Sequence, residues 1–396
     1  MSYSLGKKQV TIGLIGSGYA AHLHGNGYKK VSGVPIRLKT ICDIDESKAQ
    51  QIAQTFGFEQ VSTDFYEMLK DNEIDVIDIC TPPFLHPKMI IDALNAGKHV
   101  ICEKPLAGYF GMPDDPQPIG KMVSKATMYE RVLKDLDELK KVIDRSDKLF
   151  MYAENYVYCP TVLKAAEIIE KKKSKILFMK GEESLKGSSS PVAAYWDKTG
   201  GGSLIRIGCH PLSGILWLKQ REAIARGESI SVKSVCCDTG AVKPILNDYE
   251  KRHMNSIPFD VEDVATVTIT FSDGTKALII AADTVLGGTN NYIQVYANDT
   301  ALICNITPPG NMSSYFLDED GLKDVFIGEM LPSYLGWQNV FISDEILRGY
   351  TGEFQNFAEC VLYGRKPFSD FSLAYETAKV IYAAYWSAEE GRRIDL

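Results

Sequence analysis

The chain has 396 residues, 45% hydrophobic and 24% charged, a length and balance that suit two globular domains. Its formal net charge of −8 argues against nucleic acid as a partner, since phosphate binding needs clustered cations, while a local basic pocket for a small anion stays compatible. Nine scattered cysteines, odd in number and without a C-x-x-C pair, argue against a disulfide framework and a zinc site, and read as reduced, mostly buried thiols.

The first third alternates apolar runs with helical patterns. Strands are predicted at Val10–Ile15, Arg37–Cys42, Val76–Cys80, His99–Cys102 and Lys148–Tyr152. Helices are predicted at Ala20–Val31, Glu46–Thr55, Glu67–Lys70, His86–Ala96 and Met128–Arg145. This alternation predicts an α/β domain over residues 1–157, a parallel sheet wound on both faces. The rhythm then changes. Strand-like runs at Ile176–Gly181, Ser229–Cys236, Val264–Phe271, Lys276–Ala282, Tyr292–Ala297 and Ala301–Asn305 predict a large, mostly antiparallel sheet. Glu353–Tyr363 and Leu373–Glu390 read as helices, the second stopped by Gly391. Residues 158–396 are therefore read as an α+β domain. Met1–Gln9 carries no apolar signal-like core, and no run of about 18 apolar residues occurs. The expectation is a cytoplasmic protein with no membrane partner.

Gly16-Ser17-Gly18-Tyr19-Ala20-Ala21 lies between the first predicted strand and helix. In a G-x-G-x-x-A turn the first glycine permits the tight bend and the second lets backbone approach a pyrophosphate. A small third residue lets helix and strand pack closely. The helix N-terminus then offers N–H groups and a positive dipole end to phosphate. Asp43 closes the second strand, where an acidic residue binds the adenosine ribose and repels a 2′-phosphate, so NAD is expected over NADP. A helix cap is the other use for Asp43, but Asp45 is better placed for that.

Further motifs follow: Gly16-x-Gly18-x-x-Ala21-x-x-His24, Thr81-Pro82-Pro83-x-x-His86, Ala96-Gly97-Lys98-His99-Val100 and Glu103-Lys104-Pro105. Later come Gly200-Gly201-Gly202-Ser203, Gly208-Cys209-His210, Val261-Glu262-Asp263 and the ending Ser387–Arg393. With these the chain resembles the glucose–fructose oxidoreductase, inositol dehydrogenase and rhizopine-catabolism (Gfo/Idh/MocA) family over nearly its whole length. The resemblance implies a Rossmann domain whose nicotinamide faces an open-faced C-terminal sheet, a sugar, glycoside or polyol substrate between them, and a homo-oligomer. It implies Lys104 at the reacting oxygen and His210 as acid/base. It places Thr81, Pro82, His86 and Glu103 near the cofactor, beside Gly16, Gly18, Tyr19, Ala20, Ala21 and Asp43. Taken singly, Lys104 is also readable as a surface lysine beside a turn proline, and His210 as a packed residue at a helix start. Asn155, Tyr156, Tyr158 and Trp196 are weaker substrate candidates, as readily core as cleft.

Two departures from the family pattern stand out. The position four residues before His210, usually aspartate, is Arg206. If the segment is helical, the two share a face, and arginine would disfavour imidazolium. Three readings are open: Arg206 binds an anionic or polyhydroxylated substrate, Lys104 becomes the principal base, or Glu154 or Asp197 replaces the missing carboxylate. The second departure is an insertion, Gly108–Ala126, loop-like in composition. It is readable as a cover over the substrate mouth, a subunit contact or a mobile surface loop. The leading functional expectation is an NAD-dependent dehydrogenase acting on a secondary alcohol of a sugar, glycoside or cyclitol, with C3 oxidation of a glucoside as a specific version. A glycoside hydrolase using transient oxidation and a non-catalytic dinucleotide sensor are the competing classes.

Overall fold

A computed structural model describes residues 9–255, 257–307, 312–322, 325, 333–340 and 344–396. The N-terminal part runs β1 (Val10–Ile15), α1 (Tyr19–Lys29), β2 (Ile36–Cys42), α2 (Glu46–Phe56), β3 (Gln60–Ser62), α3 (Phe65–Lys70), β4 (Val76–Ile79), α4 (His86–Asn95), β5 (His99–Glu103), α5 (Ile119–Met122), α6 (Lys125–Arg145) and β6 (Phe150–Ala153). Its six strands pair in parallel in the order β3-β2-β1-β4-β5-β6. Strands β1 and β4 are buried along their whole length, because helices cover both faces, which is why they read as unbroken apolar runs. Strand order reverses between β1 and β4, and the crevice beyond their carboxyl ends is where such sheets bind ligands.

The second part runs α7 (Pro160–Lys172), β7 (Ile176–Ser184), α8 (Trp196–Thr199), α9 (Cys209–Arg226), β8 (Val232–Gly240), β9 (Val264–Phe271), β10 (Lys276–Ala282), β11 (Asn290–Ala297), β12 (Ala301–Asn305), β13 (Met312–Phe316), β14 (Gly336–Val340), α10 (Asp344–Leu347), α11 (Tyr350–Tyr363), α12 (Phe371–Glu390) and β15 (Ile394–Asp395). Seven strands form one sheet in the order β12-β11-β7-β10-β9-β8-β15. Only β7 and β10 pair in parallel within it, so the sheet is mixed and mostly antiparallel. Strands β13 and β14 form a separate hairpin.

Helices α7 and α9 were not among the predicted elements. Helix α9 is buried at every position from Cys209 to Lys219, so it carries no one-sided apolar stripe for periodicity to find. Helix α7 begins with Pro160 at its first position, a start signal that was present in the sequence. Helix α11 packs on α1, and α12 packs on α6, β6, α9 and β8, so the two sheets share walls.

The insertion is a docked strap. Tyr109 and Ile119 are buried, and the Tyr109 N–H donates to Tyr382 Oη at 2.6 Å. Trp196 Nε1 donates to the Tyr109 carbonyl at 3.1 Å, and Asp260 accepts from the N–H groups of Gly120 and Trp196. Gly120 lies so close that a Cβ would sit 2.0 Å from the Asp260 carbonyl oxygen. All nine cysteines are free, and all but Cys236 are buried. Among the described residues no helix is long and apolar enough to cross a membrane.

Candidate active site

The turn between β1 and α1 has the shape a dinucleotide needs. Gly16 has φ +98°, and a Cβ there would meet the Cys80 carbonyl oxygen at 2.4 Å, so only glycine fits. A Cβ on Gly18 would project into open space, leaving room for a ligand beside the backbone. No side chain caps α1 and its first turn holds no acid, so the dipole end is open to an anion. Ala21 is fully buried, as close helix–strand packing requires. Asp43 Oδ2 accepts from Ser17 N and Oγ at 2.7 and 2.6 Å, while its Oδ1 takes the Asp45 N–H. Asp45, not Asp43, caps α2. An acidic side chain fixed at the rim of this turn fits the ribose of NAD and opposes a 2′-phosphate.

Beside the turn lies a cleft of about 520 Å3, lined by Tyr19, Ala20, Glu103, Lys104, Glu183, Arg206, His210, Arg348 and Tyr350 among others. Lys104 follows β5, and its Nζ donates to the Arg206 carbonyl at 2.8 Å, across to the second sheet's side. Burial works against its charge. Cys209 and three carboxylates, Glu103, Glu183 and Glu154, outweigh burial and hold the Lys104 pKa above the ordinary lysine value. Burial pushes the Cys209 thiol up as well, so at neutral pH the carboxylates supply that field. Lys104 is therefore an ammonium here.

His210 opens α9. Its Nδ1 lies 2.7 Å from Glu154 Oε1, and its ring stacks on Tyr156 with centroids 4.9 Å apart at 16°. Tyr156 Oη donates in turn to Glu183. Glu154 follows β6, so the carboxylate behind the histidine comes from the first sheet. Asp197, the other candidate, pairs with Lys198. Arg206 lies in a π-helical turn, Leu204–Gly208, and pairs with Asp283. That wider turn alters the four-residue face rule, and Arg206 engages β10's end while His210 engages Glu154. Glu154, Cys209 and His210 approach within 4.8 Å of one another, but the adjoining ammonium and the neutral thiol suit proton transfer better than cation binding.

Other candidates support the cleft from behind. His86 is buried and bridges the Thr81 and Pro105 carbonyls, both at 2.9 Å, tying together the loops after β4 and β5. Burial lowers its pKa, so the neutral ring donates to one of them at a time. Thr81 is half-buried with its hydroxyl on Met89, and Pro82 is exposed. Asn155 and Tyr158 are buried and bonded to Arg348 O and Asn356, and Trp196 is buried against the strap. Those three do not line the cleft.

Sequence reasoning missed a buried charge chain. His24 sits between Asp78 at 2.9 Å and Glu103 at 3.1 Å, and Glu103 Oε2 accepts the Lys104 N–H at 2.8 Å. Burial opposes the His24 charge, but Asp78 overcomes it and raises the pKa well above the usual histidine value. Glu103, despite burial, is held below the usual glutamate range by His24. The glycine turn of the second domain is explained by Glu262. Its carboxylate accepts from Gly202 N and Leu204 N at 2.9 and 2.8 Å, and a Cβ on Gly202 would lie 1.9 Å from the Glu262 carbonyl oxygen.

Two family models match the chain in tandem: the oxidoreductase family with an NAD-binding Rossmann fold over residues 10–146, and the Gfo/Idh/MocA C-terminal domain over residues 165–303. The chain belongs to the Gfo/Idh/MocA family. This member is similar to levoglucosan dehydrogenase of Pseudarthrobacter phenanthrenivorans, 28% identical over 351 residues, 82% of each chain. Among solved structures it resembles GenD2 from gentamicin A biosynthesis in complex with NAD, with TM-score 0.77 and 19% identity over 99% of this chain and 98% of that one. It also resembles levoglucosan dehydrogenase in complex with NADH and L-sorbose, with TM-score 0.71 and 19% identity over 98% and 99%. At that identity the two structures speak to the fold. This Gfo/Idh/MocA member is an NAD-dependent oxidoreductase.

Proposed function

We propose that the protein moves a hydride between NAD and a secondary hydroxyl of a sugar, glycoside or cyclitol, with His210 as the proton acceptor and Lys104 as the electrostatic anchor of the reacting oxygen. The observation that carries this reading is the pairing of His210 with Glu154 in the same cleft as the Lys104 ammonium, beside the Gly16–Ala21 turn. When bound, NAD supplies the hydride acceptor. The Nδ1–H of the neutral His210 ring donates its hydrogen bond to Glu154, leaving Nε2 as the nitrogen that receives the alcohol proton. As the ring gains that proton, Glu154 stabilises the imidazolium. One N–H of Lys104 is held by the Arg206 carbonyl, and two remain to stabilise negative charge on the substrate oxygen. Its raised pKa and its bond to the Arg206 carbonyl support charge stabilisation, rather than base catalysis, as the role of Lys104. Tyr156 and Asp283 act behind His210 and Arg206 as positioning groups. Exposed Phe178, Tyr296 and Ile303 on the uncovered face of the second sheet support association of identical chains there.

The test is incubation of the protein with NAD and a panel of polyols, free sugars and glycosides, read by NADH absorbance and product mass. A keto product two mass units below its parent is expected. Lys104→Met should lower kcat by about 10²–10³-fold, the loss typical of one charge-stabilising donor. Free sugar released from a glycoside without net NADH would instead mark transient oxidation and hydrolysis. NAD binding with no product from any panel member would overturn the dehydrogenase reading.

A further inference from the structure

The strap builds a second recess beside the reactive cleft. It holds about 460 Å3, within the range of roughly 300–1,000 Å3 usual for small-molecule sites. The two cavities adjoin along the chain. Pro83 faces the cleft and Phe84 the recess, and Thr199 faces the cleft while Lys198 and Asp197 face the recess. Two separate segments thus place neighbouring residues on the two cavities, which sets the recess next to the cleft.

The recess has the chemistry of a sugar site. Phe84, 49% exposed, meets Phe110 of the strap edge to face with centroids 6.1 Å apart, so its ring is braced yet open to a ligand. Two ion pairs stand around it, Arg131–Asp135 at 3.0 Å on α6 and Lys198–Asp197 at 2.6 Å on α8. Surface pairs of this kind contribute little to stability. They do set fixed donors and acceptors around an apolar ring. A pyranose has one C–H face for the ring and a rim of hydroxyls for the charges. Two cations balanced by two anions favour a neutral polyol over an anion, and the charged rim disfavours a purely apolar group.

We propose that this recess is a distal subsite holding the second ring of a glycoside whose first ring occupies the reactive cleft, so that the protein acts on glycosides in preference to free monosaccharides. The proposal rests on the reading that the cleft oxidises a sugar hydroxyl. The strap is then a specificity element: it forms one wall of the recess while its other side is bonded to Trp196, Asp260 and Tyr382.

The experiment compares cellobiose, maltose and lactose with glucose and galactose, using the full chain and NAD. Disaccharide binding to the NADH-loaded protein is measured separately by saturation-transfer NMR. At least one disaccharide should exceed its free sugar in kcat/KM by about tenfold or more. Phe84→Ala and Arg131→Ala, both at partly exposed positions, should each remove about tenfold of that advantage through KM, with free-sugar oxidation unchanged. Equal kcat/KM for disaccharide and free sugar, or equal losses on both in the variants, overturns the subsite. Oxidation of free sugars without disaccharide binding overturns the subsite and leaves the dehydrogenase reading standing. Disaccharide binding weakened by Phe84→Ala, with no keto product from any sugar, supports the subsite and overturns the dehydrogenase reading. Neither binding nor turnover overturns both.

Discussion

Replacing Glu154 by glutamine tests whether the carboxylate behind His210 prepares the ring for its proton. Glu154 is fully buried and meets Nδ1 at 2.7 Å, and that contact becomes an ion pair as the ring protonates. Hydrogen bonds to charged groups contribute about 1.5–3 kcal/mol. At about 1.4 kcal/mol per decade, losing the charge costs roughly 10–150-fold in kcat. Glutamine adds a second penalty. Its amide can donate to Nδ1, which favours the tautomer with the proton on Nε2, and that nitrogen then accepts nothing. The loss should therefore fall at the upper end. The Gly-rich turn is untouched and side-chain volume is preserved, so NADH affinity and the melting temperature should stay near those of the parent. The assay is single-turnover NADH formation at saturating substrate, which isolates chemistry from product release. A single-turnover rate within twofold of the parent would refute the reasoning, as would a loss confined to KM.

Asp43→Asn should weaken NADH binding by about tenfold and narrow the preference over NADPH, because it removes the charge that opposes a 2′-phosphate. Fluorescence titration with both cofactors decides this, and an unchanged ratio of affinities would count against the role of Asp43. Glu262→Gln should flatten the pH dependence of stability. Burial pushes the Glu262 carboxyl up to about 7 from the usual 4.5, so the folded state keeps a proton that the unfolded chain releases. That stabilisation is present below about pH 4.5 and is lost as pH rises through about 7, a change of about 3 kcal/mol. Thermal melts at pH 5 and pH 8 measure it. An equal difference between the two pH values in parent and variant would show that another group is responsible.

The first sheet was readable because its strands are buried on both faces and its turns carry glycine and proline at demanding positions, as at Gly16 and Pro105. Val264–Phe271, Lys276–Ala282 and Ala301–Asn305 were also readable, since they alternate between a covered and an uncovered face. Helix α9 was not, because burial all round erases periodicity. Lys104 and His210, which line one cleft, were singled out through motifs, and Glu154 was one of two carboxylates considered. Its selection depends on β6 ending opposite the start of α9, a long-range fact that no local pattern carries. The same limit applies to Arg206. Spacing alone set it on the His210 side, but the partner it takes at the cleft wall, a buried Asp283 77 residues away, is one that no local pattern gives. The charge chain from Asp78 through His24 to Glu103 joins three separate segments, so nothing near any one of them announced it. His24 had appeared only as part of a motif, without a partner.

Helices α11 and α12 close surfaces on the first sheet's side that were built more than 200 residues earlier. Phe354 of α11 packs against His24 and Tyr28 of α1, and α12 lies along α6 and β6. During synthesis the nucleotide-binding half therefore leaves the ribosome with one flank of its charged core uncovered. It waits for the end of the chain before that core is dry. Ordering of the histidine–carboxylate chain is then a late event in assembly, coupled to the docking of the last two helices. A chain stalled before Tyr350 would have a Rossmann sheet in which His24 and Tyr28 lack the cover that Phe354 gives them.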